Sequence, residues 1–405
     1  MPDHARSSDP AVQAQLDRFA QLSPGRDILG LERITTLLGL LGDPHLNLPP
    51  VFHVAGTNGK GSTCAFLRSA LETAGLRVHA YTSPHLVRFN ERIRVAGKLI
   101  EDSALAPLLA GVLDVAEAHD VGPSFFEATT AAAFLAFSRT PADACVVEVG
   151  LGGRLDATNV VTPVVCGIAQ VGIDHQAFLG DTLAEIAGEK AGIAKTGVPV
   201  VCLAQPPEAL AAIERVVGEA GATLLLEGRD WQIDATLNPG LAGAHQLRNA
   251  NLAAQMLMLR GIPEATIRTG IETAGWPARL QRLPDGPLTQ NGPVWIDGAH
   301  NPAAAEVLAD ELARRPMHLI LGILANKDAD GILNALAPHA LSLTFVDVPD
   351  HDSHDPVMLV ETWGGHAAAS LETALDAIPV GQDRLIVGSL YLAGEALRLN
   401  GSLPE

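Results

Sequence analysis

The sequence predicts an α/β protein: an N-terminal P-loop-type parallel-sheet domain followed by a smaller C-terminal Rossmann-like α/β domain. Three observations carry this expectation. Short β-rich runs alternate with helical patterns, as expected of a parallel sheet covered by helices. A glycine-rich stretch, Gly56-Thr57-Asn58-Gly59-Lys60-Gly61-Ser62-Thr63, directly follows an apolar run and directly precedes a helical one. A Pro-, Gly- and Asn-rich stretch, Leu283 to Pro293, separates two such alternating series.

In the first series, Val51-Phe52-His53-Val54-Ala55 reads as a buried strand, and the helix after the glycine loop runs through Leu71. Further strands are expected at Arg77–Tyr81, Asp143–Val149, Val164–Val171 and Val198–Leu203. The second series begins at Val294-Trp295-Ile296 and continues with His318–Ile323, Leu343–Val348 and Arg384–Val387. The stretch 284–293 reads as a linker or exposed turn, which places one domain over residues 1–285 and a smaller one over 293–405. Ligands gather at the carboxyl ends of strands in such sheets, so the site is expected in the cleft between the domains.

Composition narrows the function classes. Apolar residues make up 47% of the 405 residues, enough for a core without disulfides or a structural metal. The four cysteines, Cys64, Cys145, Cys166 and Cys202, form no C-x-x-C pair and suit reduced core thiols of a cytoplasmic protein. The start, Met1 to Arg6, is polar and does not read as a secretory signal, and no run is long and apolar enough for a membrane span. The net charge of −19 argues against nucleic acid as the main partner, because phosphate backbones need clustered Lys and Arg. An anionic small molecule needs only a local positive site. A monomer is the default expectation.

The glycine loop is such a site. Its glycines let backbone N–H groups approach phosphate oxygens, the following helix contributes its N-terminal dipole, and Lys60 adds a point charge. It departs from the usual phosphate loop: Gly61 follows Lys60, the hydroxyls move to Ser62 and Thr63, and Val54 replaces the leading glycine. Glu148, before Val149-Gly150-Leu151-Gly152-Gly153-Arg154-Leu155-Asp156, ends a buried-looking strand, where a carboxylate needs a partner or a cation. Two readings stand for it: a ligand of nucleotide-bound Mg²⁺, or an ion pair with Arg154. Ile173-Asp174-His175 lies just past another strand end, while Glu189-Lys190 reads by itself as a solvated helix face. The polar segment His351-Asp352-Ser353-His354-Asp355 resembles a metal cluster but reads as a solvated loop near the cleft.

In order and spacing, these stretches resemble the dihydrofolate synthase/folylpolyglutamate synthase branch of the Mur ligase superfamily. The resemblance runs from about Leu29 to Glu395. It rests on His53 to Ser62, Thr82-Ser83-Pro84-His85-Leu86 with Glu91-Arg92-Ile93, Phe126-Glu127-Ala128-Thr129-Thr130, and Glu148 to Asn159. It continues with Ile173 to His175, Glu189-Lys190-Ala191-Gly192-Ile193, Asp297-Gly298-Ala299-His300-Asn301-Pro302 and Gly388-Ser389-Leu390-Tyr391-Leu392. It implies ATP and Mg²⁺ as cofactors and dihydropteroate, folates and L-glutamate as substrates, joined through an acyl phosphate. It further implies that Gly56, Thr57, Asn58, Gly59, Lys60, Gly61 and Ser62 hold ATP, with Asn249, Arg279 and Asp297 also on the nucleotide. Ser83, Glu148, His175 and a carbamylated Lys190 would ligate Mg²⁺, with Lys60, Lys190 and His175 as the catalytic groups. Leu29, Gly30, Leu31 and Glu32, beside Arg33, would hold the pterin. Phe126, Glu127, Gly153, Arg154 and Leu155 would line the substrate, and His300 and Ser389 would contact glutamate. Two residues depart from the family pattern: Ala278 stands where glycine is common and Asn326 where aspartate is common. A sister ligase acting on a cell-wall nucleotide precursor, and a P-loop protein using ATP for conformational change, are the alternatives. The Thr82–Leu86 and Phe126-Glu127 stretches favour the folate branch over the first, and the second α/β domain and Lys190 speak against the other.

Overall fold

The computed structural model describes residues 5–22 and 29–405; Met1–His4 of the polar start lie outside the described residues. The chain forms two compact units. The first runs to Gly240 and takes up Gln246–Gly275, and the second consists of Leu241–His245 and Trp276–Glu405.

The first unit is built on an eight-stranded sheet. Its strands are β1 (Val51–Ala55), β2 (Val78–Tyr81), β3 (Ile93–Val95), β4 (Lys98–Leu99), β5 (Ala144–Glu148), β6 (Val165–Ile168), β7 (Pro199–Cys202) and β8 (Thr223–Leu226). Their order is β4-β3-β2-β5-β1-β6-β7-β8. From β2 to β8 all neighbours are parallel, while β3 and β4 extend one edge antiparallel. Every residue of β1 is buried, which is why its sequence is apolar apart from His53 rather than alternating.

Several elements carry no strong sequence signal. β3 and β4 are a short hairpin whose turn residues, Ala96 and Gly97, both take positive φ (48° and 91°), the geometry of a two-residue turn that matches strand twist. The N-terminal helix Pro10–Leu22 buries Val12, Leu16 and Phe19, one stripe at i, i+4, i+7. Phe19 packs edge-on against Phe125, with ring centroids 5.8 Å apart.

The second unit holds a six-stranded sheet of β9 (Gln281–Arg282), β10 (Val294–Ile296), β11 (His318–Leu321), β12 (Ser342–Phe345), β13 (His366–Ala367) and β14 (Arg384–Val387). The order is β13-β12-β11-β14-β10-β9, parallel throughout except for β9 at the edge. Because β9 pairs with β10, the stretch 284–293 is a turn within this unit. Asn400 secures it, accepting from Leu288 N (3.1 Å) and donating to Pro284 O (3.0 Å). Among the described residues no helix is long and apolar enough to cross a membrane.

Candidate active site

Strands β2, β5, β1 and β6 are neighbours, so their carboxyl ends deliver four loops side by side. Ser83 follows β2, Glu148 ends β5, the glycine loop follows β1, and the segment leading to His175 follows β6. This juxtaposition of residues up to about a hundred positions apart comes from the parallel topology alone.

The glycine loop leads into the helix Lys60–Thr73. Its N-cap is Gly59, in left-handed conformation (φ 88°), which offers no side chain to the N–H groups of the first turn. Those donors and the helix dipole are therefore left for an anion. Two close approaches explain the glycines. A Cβ on Gly56 would stand 2.9 Å from Ala169 Cβ, and one on Gly59 would collide with the Asn249 carboxamide. Asn249, from the helix Gln246–Met258, thus lies directly on the loop, oriented by its bond from Nδ2 to Gln246 Oε1 (3.1 Å).

Two lysines converge on this loop. Lys60 Nζ donates to Gly56 O (3.1 Å) and Thr57 O (3.3 Å), and Lys190 Nζ donates to the same Gly56 carbonyl (3.1 Å). Lys190 is 4% exposed. Burial, with the nearby Lys60 charge, lowers its pKa to about 7, since a desolvated ammonium beside a like charge favours the free amine. The solvated-face reading of Glu189-Lys190 therefore fails for Lys190. Glu189 pairs instead with Arg154 (2.7 Å), and Glu185 closes a capping box with Thr182. The Arg154–Glu189 pair also removes Arg154 as the ion-pair partner of Glu148.

Glu148 is buried, and its Oε2 accepts from Ser83 N at 3.3 Å. His175 opens the short helix Gln176–Leu179 in left-handed conformation (φ 54°), with an exposed ring whose Nε2 lies 3.9 Å from Asp174 Oδ1. Its segment is tied to the glycine loop: Thr57 Oγ1 donates to Gly172 O and accepts from Gly172 N, both at 2.9 Å. Among the described residues no group of three His, Cys, Asp or Glu side chains is arranged to hold a metal. The candidate set instead offers one carboxylate, one hydroxyl and one imidazole. That suits Mg²⁺ carried on nucleotide phosphates, which keeps waters and takes few protein carboxylates.

The substrate-side candidates form a second cluster. Glu127 lies in the first turn of the helix Phe125–Arg139, whose N-cap Ser124 completes a capping box with it. Its buried Oε2 accepts from Ser124 N (2.6 Å) and from Arg33 Nε (3.0 Å), joining this helix to the 29–33 segment. Leu29 and Leu31 pack on two different apolar clusters, and a Cβ on Gly30 would reach within 2.7 Å of Glu32 Oε2. Phe126 lies against Gly150, where any side chain would overlap its ring. Gly153 touches the backbone of Glu189 and Lys190, so the loop of Gly153, Arg154 and Leu155 rests on the helix that carries Lys190. Asp156, which sequence reading left without a role, holds this loop: it accepts from Leu151 N (2.8 Å) and Thr158 N (3.0 Å). Thr158 Oγ1 in turn bonds buried His53 (2.9 Å), and burial drives that imidazole's pKa down to about 3.

In the second unit, Asp297 follows β10 and Ser389 follows β14, its neighbour. Both Asp297 oxygens hold backbone, Oδ2 accepting from Leu280 N (2.7 Å) and Oδ1 from Ala299 N (2.8 Å). Arg279 Nη1 donates to Ala278 O (2.8 Å), and His300 Nδ1 meets Gly298 O (2.8 Å). Ser389 caps the helix Leu390–Leu399 by accepting from Tyr391 N (3.1 Å). In the 351–355 loop, His351 stacks on Tyr391 with centroids 3.9 Å apart, and His354 Nε2 meets Lys327 O (2.9 Å).

No protein-family model matches the chain. Individual proteins do. It is 35% identical over 404 residues to folylpolyglutamate synthase of Lacticaseibacillus casei, covering 89% of this chain and 92% of that protein. It is 37% identical over 326 residues to dihydrofolate synthase/folylpolyglutamate synthase of Escherichia coli (strain K12), covering 75% and 74%. Among solved structures it resembles Mycobacterium tuberculosis folylpolyglutamate synthase complexed with ADP, with a TM-score of 0.88, 30% identity, and coverage of 98% of this chain and 99% of that one. It also resembles E. coli FolC in complex with DHPP and ADP, with a TM-score of 0.87, 31% identity, and coverage of 97% and 98%. Identity at this level across nearly the whole length, in agreement with the uncapped glycine loop and the paired lysines, means that the chain belongs to the folylpolyglutamate synthase/dihydrofolate synthase family.

Proposed function

We propose that this protein is an ATP-dependent ligase that joins L-glutamate to the carboxylate of dihydropteroate, and also extends folates. The carboxylate oxygen attacks the γ-phosphorus of ATP and ADP leaves, giving an acyl phosphate. The glutamate amine then attacks the acyl carbon, the C–O bond to phosphate breaks, and an amide forms. One observation carries the reading: Lys60 and the buried Lys190 both reach the Gly56 carbonyl at the mouth of an uncapped helix. The bare first-turn N–H groups and the Lys60 ammonium suit the charge that builds on a transferring phosphoryl group, and the buried Lys190 amine beside them is placed to become a metal ligand. The ADP of the M. tuberculosis structure and the DHPP and ADP of the E. coli structure support the same substrates here.

The parts divide as follows. The first-turn N–H groups of the helix Lys60–Thr73 bind phosphate oxygens, and Lys60 leaves the Gly56 and Thr57 carbonyls to meet the transferring group. Asn249 borders the nucleotide side of the loop. Glu148, Ser83, His175 and carbamylated Lys190 would hold Mg²⁺, which when bound neutralises phosphoryl charge. The neutral amine of Lys190 can add to CO₂, forming an N–C bond and releasing a proton, which turns a neutral nitrogen into an anionic oxygen ligand. Arg33, Glu127 and Phe126 orient the pterin end of the acid. By the family resemblance, Arg279 and Asp297 would contact nucleotide and His300 and Ser389 would contact glutamate. We place the protein in the cytoplasm as a monomer, in keeping with four buried free thiols.

ADP release tests the reading. It should require Mg²⁺, a pteroate-type acid and L-glutamate together. Equal release without the acid would exclude a ligase, and preference for a UDP-linked precursor would move the chain to the cell-wall branch. Comparing dihydropteroate with tetrahydrofolate as the acid separates the two activities.

A further inference from the structure

The parallel ladder between β6 and β7 ends at the pair Ile168–Cys202, with Leu203 N donating to Ile168 O (3.1 Å). Beyond it the two chains part: β7 turns toward the helix Pro207–Glu219, while β6 continues as Ala169-Gln170-Val171 toward His175. A strand that loses its neighbour exposes one C=O and one N–H on either side of the next residue. Here those groups are Ala169 O and Val171 N, and a single side chain takes both. Gln205 Nε2 donates to Ala169 O (2.9 Å) and Gln205 Oε1 accepts from Val171 N (3.0 Å). A carboxamide carries a donor and an acceptor in fixed relation, so Gln205 does with its side chain what one more residue of β7 would do with its backbone.

The residue clamped in this way, Gln170, faces the glycine loop on its other side. Its carbonyl accepts from Thr57 N (2.8 Å) and Asn58 N (3.2 Å), the next bond out is the Thr57–Gly172 exchange, and Ala169 is the atom group against which Gly56 packs. The 169–172 segment is thus held between Gln205 and the phosphate loop. Gln205 is itself anchored through the residue before it: Ala204 N donates to Glu227 Oε2 (2.7 Å), and Arg248 Nη2 donates to Ala204 O (3.0 Å) while pairing with Glu227 (2.7 Å).

We propose that Gln205 is a positioning residue of the nucleotide site, acting through Gln170 to fix the N–H groups of Thr57 and Asn58 and the path of the chain to His175. The proposal rests on the reading of residues 56–62 as a nucleotide phosphate loop. Nothing in the local sequence, Leu203-Ala204-Gln205-Pro206-Pro207, signals such a role.

The test uses the full chain with Gln205→Met, which keeps the length of the side chain and removes both bonds, and Gln205→Glu, which turns the donor facing Ala169 O into a second acceptor. Titration with Mg·ADP should show binding weakened about tenfold in the Met variant, and at least as much in the Glu variant. KM for ATP should rise in parallel, KM for the pteroate acid should stay unchanged, and amide hydrogen exchange should quicken over residues 56–58. Variants that melt at a lower temperature but bind ADP like the parent would show a merely structural clamp and overturn the assignment. A parent protein that itself bound no ADP would overturn the nucleotide reading, and this assignment with it.

Discussion

Replacing Lys190 probes the site where burial and chemistry are most tightly linked. With a pKa of about 7, about half of these side chains are neutral at pH 7. At the ordinary value of 10.5, about one in three thousand would be. The fold thus raises the fraction of reactive amine by about three orders of magnitude, and a neutral amine is what CO₂ requires. Lys190→Ala should lower turnover by roughly two to three orders of magnitude, the usual effect of removing one electrostatic contact to a transition state. Acetate should restore part of it by supplying the missing carboxylate, and stripping CO₂ should slow the native enzyme. Stability follows with a definite sign. Between about pH 7 and pH 10.5 the unfolded chain holds a proton that the folded chain has shed, so folding stability rises with pH across that window. Lys190→Met should remove up to roughly 1.4 kcal/mol per pH unit of that slope in chemical denaturation. Near-normal activity of Lys190→Ala in carboxylate-free buffer would refute the carbamate and leave Lys190 as a buried donor to Gly56.

Three further outcomes are expected. Lys60→Ala should cut turnover by roughly two to three orders of magnitude with little change in melting, because the half-buried Lys60 side chain bonds only loop carbonyls; retained turnover would show that the wrong lysine has been chosen. Gly150→Ala should push the Phe126 ring out of place and raise KM for the pteroate acid roughly tenfold with ATP affinity unchanged, so an unaltered KM would detach Phe126 from the acid. Ala278→Gly should change stability by less than about 1 kcal/mol, because relief of a left-handed φ of 56° is offset by loss of a fully buried methyl and by the freer unfolded chain; a shift larger than about 2 kcal/mol in chemical denaturation would contradict this balance.

The parallel strands inside both sheets were legible because a strand buried on both faces is largely apolar, as β1, β5 and β6 are apart from His53 and the terminal Glu148, whereas the edge strand β8 (Thr223–Leu226) was not. The glycine loop was legible for a related reason: only glycine meets the positive φ of Gly59 and the contact of Gly56 with Ala169. Short edge elements were not. β4, β9 and β13 have two residues each, too few for a period to show, and they exist because a longer neighbour offers them hydrogen bonds. Missing β9 is what made 284–293 look like a separator of domains.

Partner choice was the least legible property. The sequence by itself determined that Glu148, Arg154, Glu189 and Lys190 occur, that two of them sit together on a helix, and that a phosphate-binding loop stands between strand and helix. Only the tertiary structure decided that Arg154 takes Glu189, that Lys190 turns inward to the Gly56 carbonyl, that Arg33 meets Glu127, and that Gln205 closes the end of a ladder thirty-four residues away. The reason is physical. Secondary structure follows from local spacing, which the sequence displays directly, whereas a charge or an amide settles on whichever partner the packed strand ends leave within three ångströms and shielded from water, and that is a property of the assembled sheet.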